Sequence, residues 1–472
     1  MAQSEIVRNA LNDLMRLAGR AAPDFVTFVD GPPAMATRFR AEEAAAAALA
    51  ATGVLAADLW RDRSGEAQQV TVNIREAAAA LTSFLLNVFE GSDLTPRLDR
   101  AGHTPADGFF PTRDGRFVYL HPSFPESGRR LHALMGSPAD RDAAARAVLT
   151  WTAAELEAAI VERGLCGAVA RTPEEWDASD QGRILAARPV IEVTRITDGP
   201  PEPLSAEVEA PLSGVRTLDL TRVLAGPTCA RTLAQYGSEV LYLASPDLPA
   251  VQPFVADTNH GKRSAWLDLK AGAGRARLES LVAGADVFSQ GYRGGAMERL
   301  GFGPSRLAAL RPGIVCVEIN AYGHEGPWRN RPGWEQLAQP VTGMAHVHGQ
   351  DGSGEGGPGL QPGAVNDYTT GFLAALGAMI ALQRRARFGG GYLVRVSLVQ
   401  TAMWVRSLGL AGPDHLDAVR PLAPEEIDGW RIESRTGFGP MRHLRPPVSL
   451  SATPARWAEP VVRLGTHPPE WA

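Results

Sequence analysis

Asp367 stands in Val365-Asn366-Asp367-Tyr368-Thr369-Thr370-Gly371, a carboxylate at the head of a segment able to start a helix. A carboxylate can attack an activated carbonyl and split one difficult transfer into two easier steps, conserving the activation while water is kept away. On the residues alone, an aspartate before Tyr-Thr-Thr-Gly reads first as a helix cap; the two roles are compatible, because a helix N-terminus favours the ionised form. Lys262 and Arg263 in Asn-His-Gly-Lys-Arg-Ser, and Arg293 in Gly-Tyr-Arg-Gly-Gly, could meet phosphates through charge-assisted hydrogen bonds, although each alone reads as a solvated surface group. Gly389-Gly390-Gly391 is, in isolation, a flexible turn.

Alternating elements must position these groups. Strand-like Val-Arg-Thr-Leu-Asp-Leu, Glu-Val-Leu-Tyr-Leu, Ala-Asp-Val-Phe-Ser and Ile-Val-Cys-Val-Glu-Ile, all after residue 211, alternate with helical stretches, which predicts a mostly parallel sheet covered by helices. Upstream, Ala-rich sequence from Arg38 to Trp60 predicts a helix, followed by a turn at Arg63-Ser64-Gly65, a strand in Gln-Gln-Val-Thr-Val-Asn-Ile and a second helix over Glu76–Asn87. Residues 105–200 carry a hairpin turning at Asp114-Gly115 and helical patterns around 136–148 and 152–163, a small α/β domain. The Pro-rich, acidic run at 199–211 is a linker.

Composition bounds the rest. A chain of 472 residues that is 44% apolar fills two or three domains. Cys166, Cys229 and Cys316 lie too far apart for a metal cluster or a disulfide framework. The net charge of −5 gives no field attracting nucleic acid. With no secretory pattern and no uninterrupted apolar stretch of membrane-spanning length, the expectation is a soluble cytoplasmic protein without a membrane partner.

The segments at 212–243, 259–270, 285–303 and 322–343, the Asp367 stretch and the tail from Arg445-Pro446-Pro447, taken in order, resemble the family III (carnitine dehydratase-like) CoA-transferases. The resemblance implies an α/β fold with a mostly parallel Rossmann-like core and a small α/β domain. It implies transfer of coenzyme A from an acyl-CoA to a carboxylic acid, with Asp367 passing through a mixed anhydride to an aspartyl-CoA thioester. Coenzyme A enters as substrate, with no resident cofactor and no metal. Arg222, Val223, Leu224 and Ala225 resemble the pantetheine-facing entry. Lys262, Arg263 and Arg293 fall in register for the nucleotide phosphates, with Tyr292 beside Arg293. Met297 is in reach of the adenine, with core packing as the alternative. Tyr322 and Gly323 resemble a lining strand, and Gly389 and Gly390 a mobile loop near the acyl-enzyme. Family members are often interlocked homodimers, and a homodimer is expected.

An internal echo complicates the order: the segment from Gly53 parallels that from Gly377 without a gap. Residues 38–200 resemble the latter half of a family member with its small domain, 212–404 the main CoA-binding and catalytic part and 405–472 the closing tail, with 1–37 an extension and 201–211 the linker. Extending the register sets Glu43 opposite Asp367, where it reads as a first-turn helix residue. A CoA-thioester racemase and a noncatalytic acyl-CoA-binding protein remain open. Racemases of this fold carry a histidine where this chain has Gly333-Trp334-Glu335, so the proton-exchanging imidazole is missing.

Overall fold

Alternating short apolar runs and helices build a mixed α/β fold. The computed structural model describes residues 3–89, 106–136, 140–205, 208–350, 356–412 and 414–472. The largest sheet has seven strands in the spatial order Lys262–Trp266, Glu239–Ala244, Arg216–Leu220, Val287–Gln290, Val315–Asn320, Gly391–Ser397 and Glu192–Thr197. The first six are parallel and the last is antiparallel. Val315 to Ile319 are all buried, as a strand covered on both faces requires. The winding direction reverses between Arg216–Leu220 and Val287–Gln290, which opens a crevice beyond their carboxyl ends, the usual ligand position in open α/β sheets.

Two helices of 24 residues, Ala41–Ser64 and Val365–Phe388, pack on each other in the core. Alanines dominate the first, and small side chains let the two backbones approach closely. By length and composition this helix could cross a membrane, contrary to the sequence expectation, yet its apolar window is wholly buried inside the protein. Gly371 lets the second helix cross Ala225–Gln235, since a Cβ there would stand 2.6 Å from the Ala225 carbonyl oxygen. That contact ties the helix bearing Asp367 to the loop after the first core strand.

The small unit has its own core, with Phe110, Val118, Leu131 and Leu156 between the Gly108–Pro111, Phe117–Leu120 and Gly167–Val169 strands and their helices. The hairpin turns at Asp114-Gly115 as expected, with Gly115 at φ 74°. The second Ala-rich helix is instead two pieces, Ile74–Ala80 and Ser83–Leu86, and the pattern around 136–148 begins only at Arg141 because Gly136 ends the preceding helix in a left-handed conformation. The N- and C-terminal parts of the chain interweave: Val26–Val29 and Val70–Asn73 form a sheet with Ser449–Leu450. Within the linker, Glu202 pairs with Arg311 at 2.6 Å.

Candidate active site

Asp367 is the third residue of the Val365–Phe388 helix and is 8% exposed. It lines a cavity of about 440 Å³ at the carboxyl ends of the core strands, and among the described residues no other lining residue is acidic. Four guanidinium-bearing residues share the lining, Arg222, Arg293, Arg299 and Arg331. The loop Thr221–Gly226, after the Arg216–Leu220 strand, and Gly291–Arg293, after Val287–Gln290, form its walls. Among the described residues Val223 is the one non-glycine with positive φ, at 70°. A β-branched side chain held there costs about 1–3 kcal/mol, strain of the kind found where backbone is shaped for a ligand.

The small unit packs against the cavity wall. The Phe124 ring packs at 4.8 Å from Trp334, His121 lies 6.2 Å from the same indole, and the Arg222 guanidinium sits over Phe124 at 5.8 Å. Glu157 of the small unit binds Arg331 at 3.0 Å.

Burial, and then the charge of Glu335, hold the Asp367 carboxyl well above the usual aspartate range. Glu335 itself is pushed up to about 7 by burial, against hydrogen bonds from Gln339 and Asn366 that favour its ionised form. Its Oε1 accepts from Gln339 Nε2 at 2.7 Å and from both Asn366 nitrogens at 3.2 Å, while Oε2 is enclosed without a partner. The two carboxyls thus form a buried pair that resists carrying two negative charges. Sequence reasoning used Glu335 only to mark a missing histidine; the carboxylate in that tripeptide was the available signal. Arg299, Arg331 and Trp334 were likewise missed.

Of the expected site residues, Arg222, Val223, Leu224, Ala225, Tyr292 and Arg293 meet Asp367 in the cavity. Met297 instead lines an adjoining apolar slot of about 160 Å³, which shares Leu248, Tyr292 and Ala296 with the main cavity. Lys262 is not brought there. It is fully buried and its ammonium binds Asp219 and the Pro227 carbonyl, each at 2.8 Å, so the expected phosphate contact is corrected to an internal ion pair. Arg263 points from the opposite face of its strand and lines neither space. Tyr322 is buried beneath Gly333, where a Cβ would come within 2.5 Å of its ring, and Gly323 packs against Leu185; neither lines the cavity. Gly389 and Gly390 are corrected most clearly. They follow the far end of the Asp367 helix, about 33 Å along its axis from the carboxylate, and their backbone packs against Gly199-Pro200 and Thr197. His324 is buried, held at about 4, and bonded to the Val396 carbonyl, a neutral structural imidazole. Glu43 is the third residue of its own helix, buried and paired with Arg40 at 3.2 Å. Among the described residues no cluster of acids, cysteines or histidines could hold a metal ion.

The fold and cavity are those of an α/β protein built to enclose a buried carboxylate among arginines. The CoA-transferase family III model matches residues 13–201 and 212–417, and the chain belongs to that family. It is 33% identical over 326 residues to an acyl-CoA transferase of Gibberella moniliformis, covering 64% of this chain and 57% of that one. It is 31% identical over 205 residues to the succinyl-CoA–L-malate CoA-transferase beta subunit of Chloroflexus aurantiacus, covering 40% of this chain and 50% of that one. The crystal structure of Rv3272 from M. tuberculosis matches at 29% identity with a TM-score of 0.39, over 42% of this chain and 58% of the other. The chain thus spans about half the length of the curated relatives it matches.

Proposed function

We propose that this protein transfers coenzyme A from an acyl-CoA to a carboxylic acid, with Asp367 as the covalent carboxylate. The observation that carries this reading is a cavity in which, among the described residues, one acidic side chain faces four arginines. Relatives named acyl-CoA transferase and succinyl-CoA–L-malate CoA-transferase support the same reaction class. The ionised Asp367 attacks the acyl-CoA carbonyl and expels the CoA thiolate, leaving a mixed anhydride. The thiolate then attacks the aspartyl carbonyl, releasing the first acid and forming an aspartyl-CoA thioester. The incoming carboxylate takes that thioester through a second anhydride, from which the returning thiolate forms the new acyl-CoA. Burial keeps water from the activated carbonyls, and the neighbouring guanidiniums favour the oxyanions.

In this reading the core is Rossmann-like, its strand order matching that of two mononucleotide-binding halves. Arg222, Arg293 and Arg299 meet the CoA phosphates, and the slot beside Met297 takes the adenine. Residues 38–200 are a truncated copy whose small domain packs against the wall of the Asp367 site of the second copy within one chain. The Glu43–Arg40 ion pair supports one catalytic site per chain. The homodimeric assembly and cytoplasmic location expected from sequence belong to the same proposal.

The test is intact-protein mass after exposure to a panel of acyl-CoAs, with Asp367→Asn in parallel. A CoA adduct that requires Asp367 is expected. Measurable CoA binding without an adduct from any donor would overturn the transferase reading in favour of a binding protein or a proton-transfer enzyme.

A further inference from the structure

The Val365–Phe388 helix starts without a cap of its own, because Ala364 stands at its N-cap and has no side-chain acceptor to offer. Glu335 supplies the cap from outside. Its Oε1 takes the Asn366 backbone amide and the Asn366 side chain, each at 3.2 Å, and the Asp367 amide also favours its ionised form. Gln339, one turn further along Glu335's own helix, adds a shorter bond from Nε2 at 2.7 Å. The Gln339 amide cannot turn over. Its Oε1 accepts from the Gln361 backbone at 2.7 Å, and Gln361 Oε1 in turn takes the Thr37 hydroxyl, so Glu335 always meets the nitrogen of Gln339.

Asp367 has the opposite surroundings. Burial and the charge of Glu335 act on it, and no hydrogen bond from a described residue offsets them. The donors that favour an anion converge on Glu335, and the helix N-terminus it caps adds to them. In a pair that resists two negative charges, the anion is therefore Glu335 and the proton belongs to Asp367. Other elements packed on the Glu335–Val341 helix leave this assignment intact. Met344–His348 carries His346 and His348, Leu398–Ser407 carries Arg406, Phe117–Leu120 carries Tyr119, and Gly167–Val169 carries no titratable side chain. Arg406 pairs with Asp177 at 2.8 Å, and none of these groups is hydrogen-bonded to Glu335.

We infer that loading CoA onto Asp367 expels one proton from the carboxyl pair, and that Gln339 is the positioning residue that enforces this by keeping Glu335 the anion. This rests on the transferase reading. In the free enzyme the two carboxyls hold one proton between them. The thioester leaves Asp367 neutral with no place for a proton, and Glu335 stays ionised among its donors, so the proton departs through the cavity. The overall step balances: the Asp367 carboxylic acid and an acyl-CoA give the aspartyl-CoA thioester, the carboxylate of the released acid and a proton. The C–S bond of the donor breaks, a C–S bond to Asp367 forms, and one Asp367 oxygen leaves with the acid. Discharge to an acceptor carboxylate takes the proton back.

The experiment counts protons. Wild type, Gln339→Leu, Glu335→Gln and the double variant are mixed with excess acyl-CoA in weakly buffered indicator dye at about pH 8, above the titration of Glu335. Adducts are counted by intact mass, and Asp367→Asn subtracts hydrolysis. Wild type should release about one proton per adduct and each single variant below about 0.3, because Glu335→Gln lets Asp367 ionise beforehand and Gln339→Leu moves the proton to Glu335, where it stays. The double variant should match Glu335→Gln, since Gln339 acts only through Glu335. Loading by Gln339→Leu with the wild-type proton count, at whatever rate, would make Gln339 merely structural and overturn the inference. Should Gln339→Leu fail to fold, Asn366→Ala removes another donor to Glu335 and is held to the same count. If no acyl-CoA loads the wild type, the transferase reading falls, and the assignment of the anion is decided by carbodiimide labelling, which needs a protonated carboxyl. Asp367 in Gln339→Leu should then cease to react about one pH unit below wild type, and equal limits would overturn the assignment.

Discussion

Replacing Glu335 with glutamine isolates the electrostatics of the buried carboxyl pair. Glu335 titrates at about 7 in the folded protein against 4.5 for the free side chain. Between those values the folded chain keeps a proton that the unfolded chain has released, so this stabilising contribution is complete below pH 4.5 and is lost as pH rises through 7. At 1.36 kcal/mol per unit, the loss over pH 5 to 8 is about 3 kcal/mol, and Asp367, raised for the same cause, adds to it. Glu157 and Glu426, both held at about 2, act below this window. His324 at about 4 and the lowered His260 tilt stability the other way, so the wild-type curve alone is ambiguous. Glutamine retains an acceptor for Asn366 and cannot ionise, and the histidines cancel in the difference. Urea unfolding from pH 5 to 8 should therefore show Glu335→Gln gaining about 3 kcal/mol on wild type across the range. The acid limb of Asp367 loading should move to lower pH in the same variant. Parallel stability curves with an unmoved limb would refute the coupling.

Lys262→Met should cost about 3–5 kcal/mol in urea unfolding by stranding the Asp219 charge in the interior, and Asp219→Asn in the same chain should recover most of it. Gly390→Ala should cost upward of about 1 kcal/mol, because φ is 80° and the new Cβ would meet the Thr197 carbonyl oxygen at 2.2 Å; the rate of CoA loading, a helix length away, should not change. Phe124→Ala removes the ring between Trp334 and Arg222, worth about 1.5 kcal/mol, and steady-state kinetics should return a KM for acyl-CoA raised about tenfold.

The central strands were legible because short runs rich in Val, Leu and Ile alternate with helical stretches, and the helix of Asp367 because Phe372 to Leu382 holds no polar side chain before Gln383 and the arginines that lead to Gly389. What failed was distance. Lys262 and Gly389 lie in segments that resemble ligand-binding ones, but a strand points successive side chains to opposite faces, and a long helix carries its two ends far apart. Lys262 falls on the face that meets Asp219, and Gly389 at the wrong end of the helix. Arg331 and Glu335 were hidden for the converse reason. Their partners, Glu157 and Asn366, are 174 and 31 residues away in sequence, so no local pattern announces them.

The pairing of Ala41–Ser64 with Val365–Phe388 bears on how the chain reaches this fold. Thr37 and Gln361, hydrogen-bonded just ahead of the two helices, are separated by 324 residues. At about 5–20 residues per second, roughly 15–60 s pass on the ribosome between emergence of the Ala-rich helix and that of the surface it buries against. For that interval a helix apolar enough to cross a membrane packs on Gln3–Leu17 and Ile74–Ala80 but lacks the surface of Val365–Phe388. Chaperone contacts early in synthesis, and aggregation when the chain is released before Val365–Phe388 is made, are the expected signature. Truncations ending before Gly363 should be found in inclusion bodies.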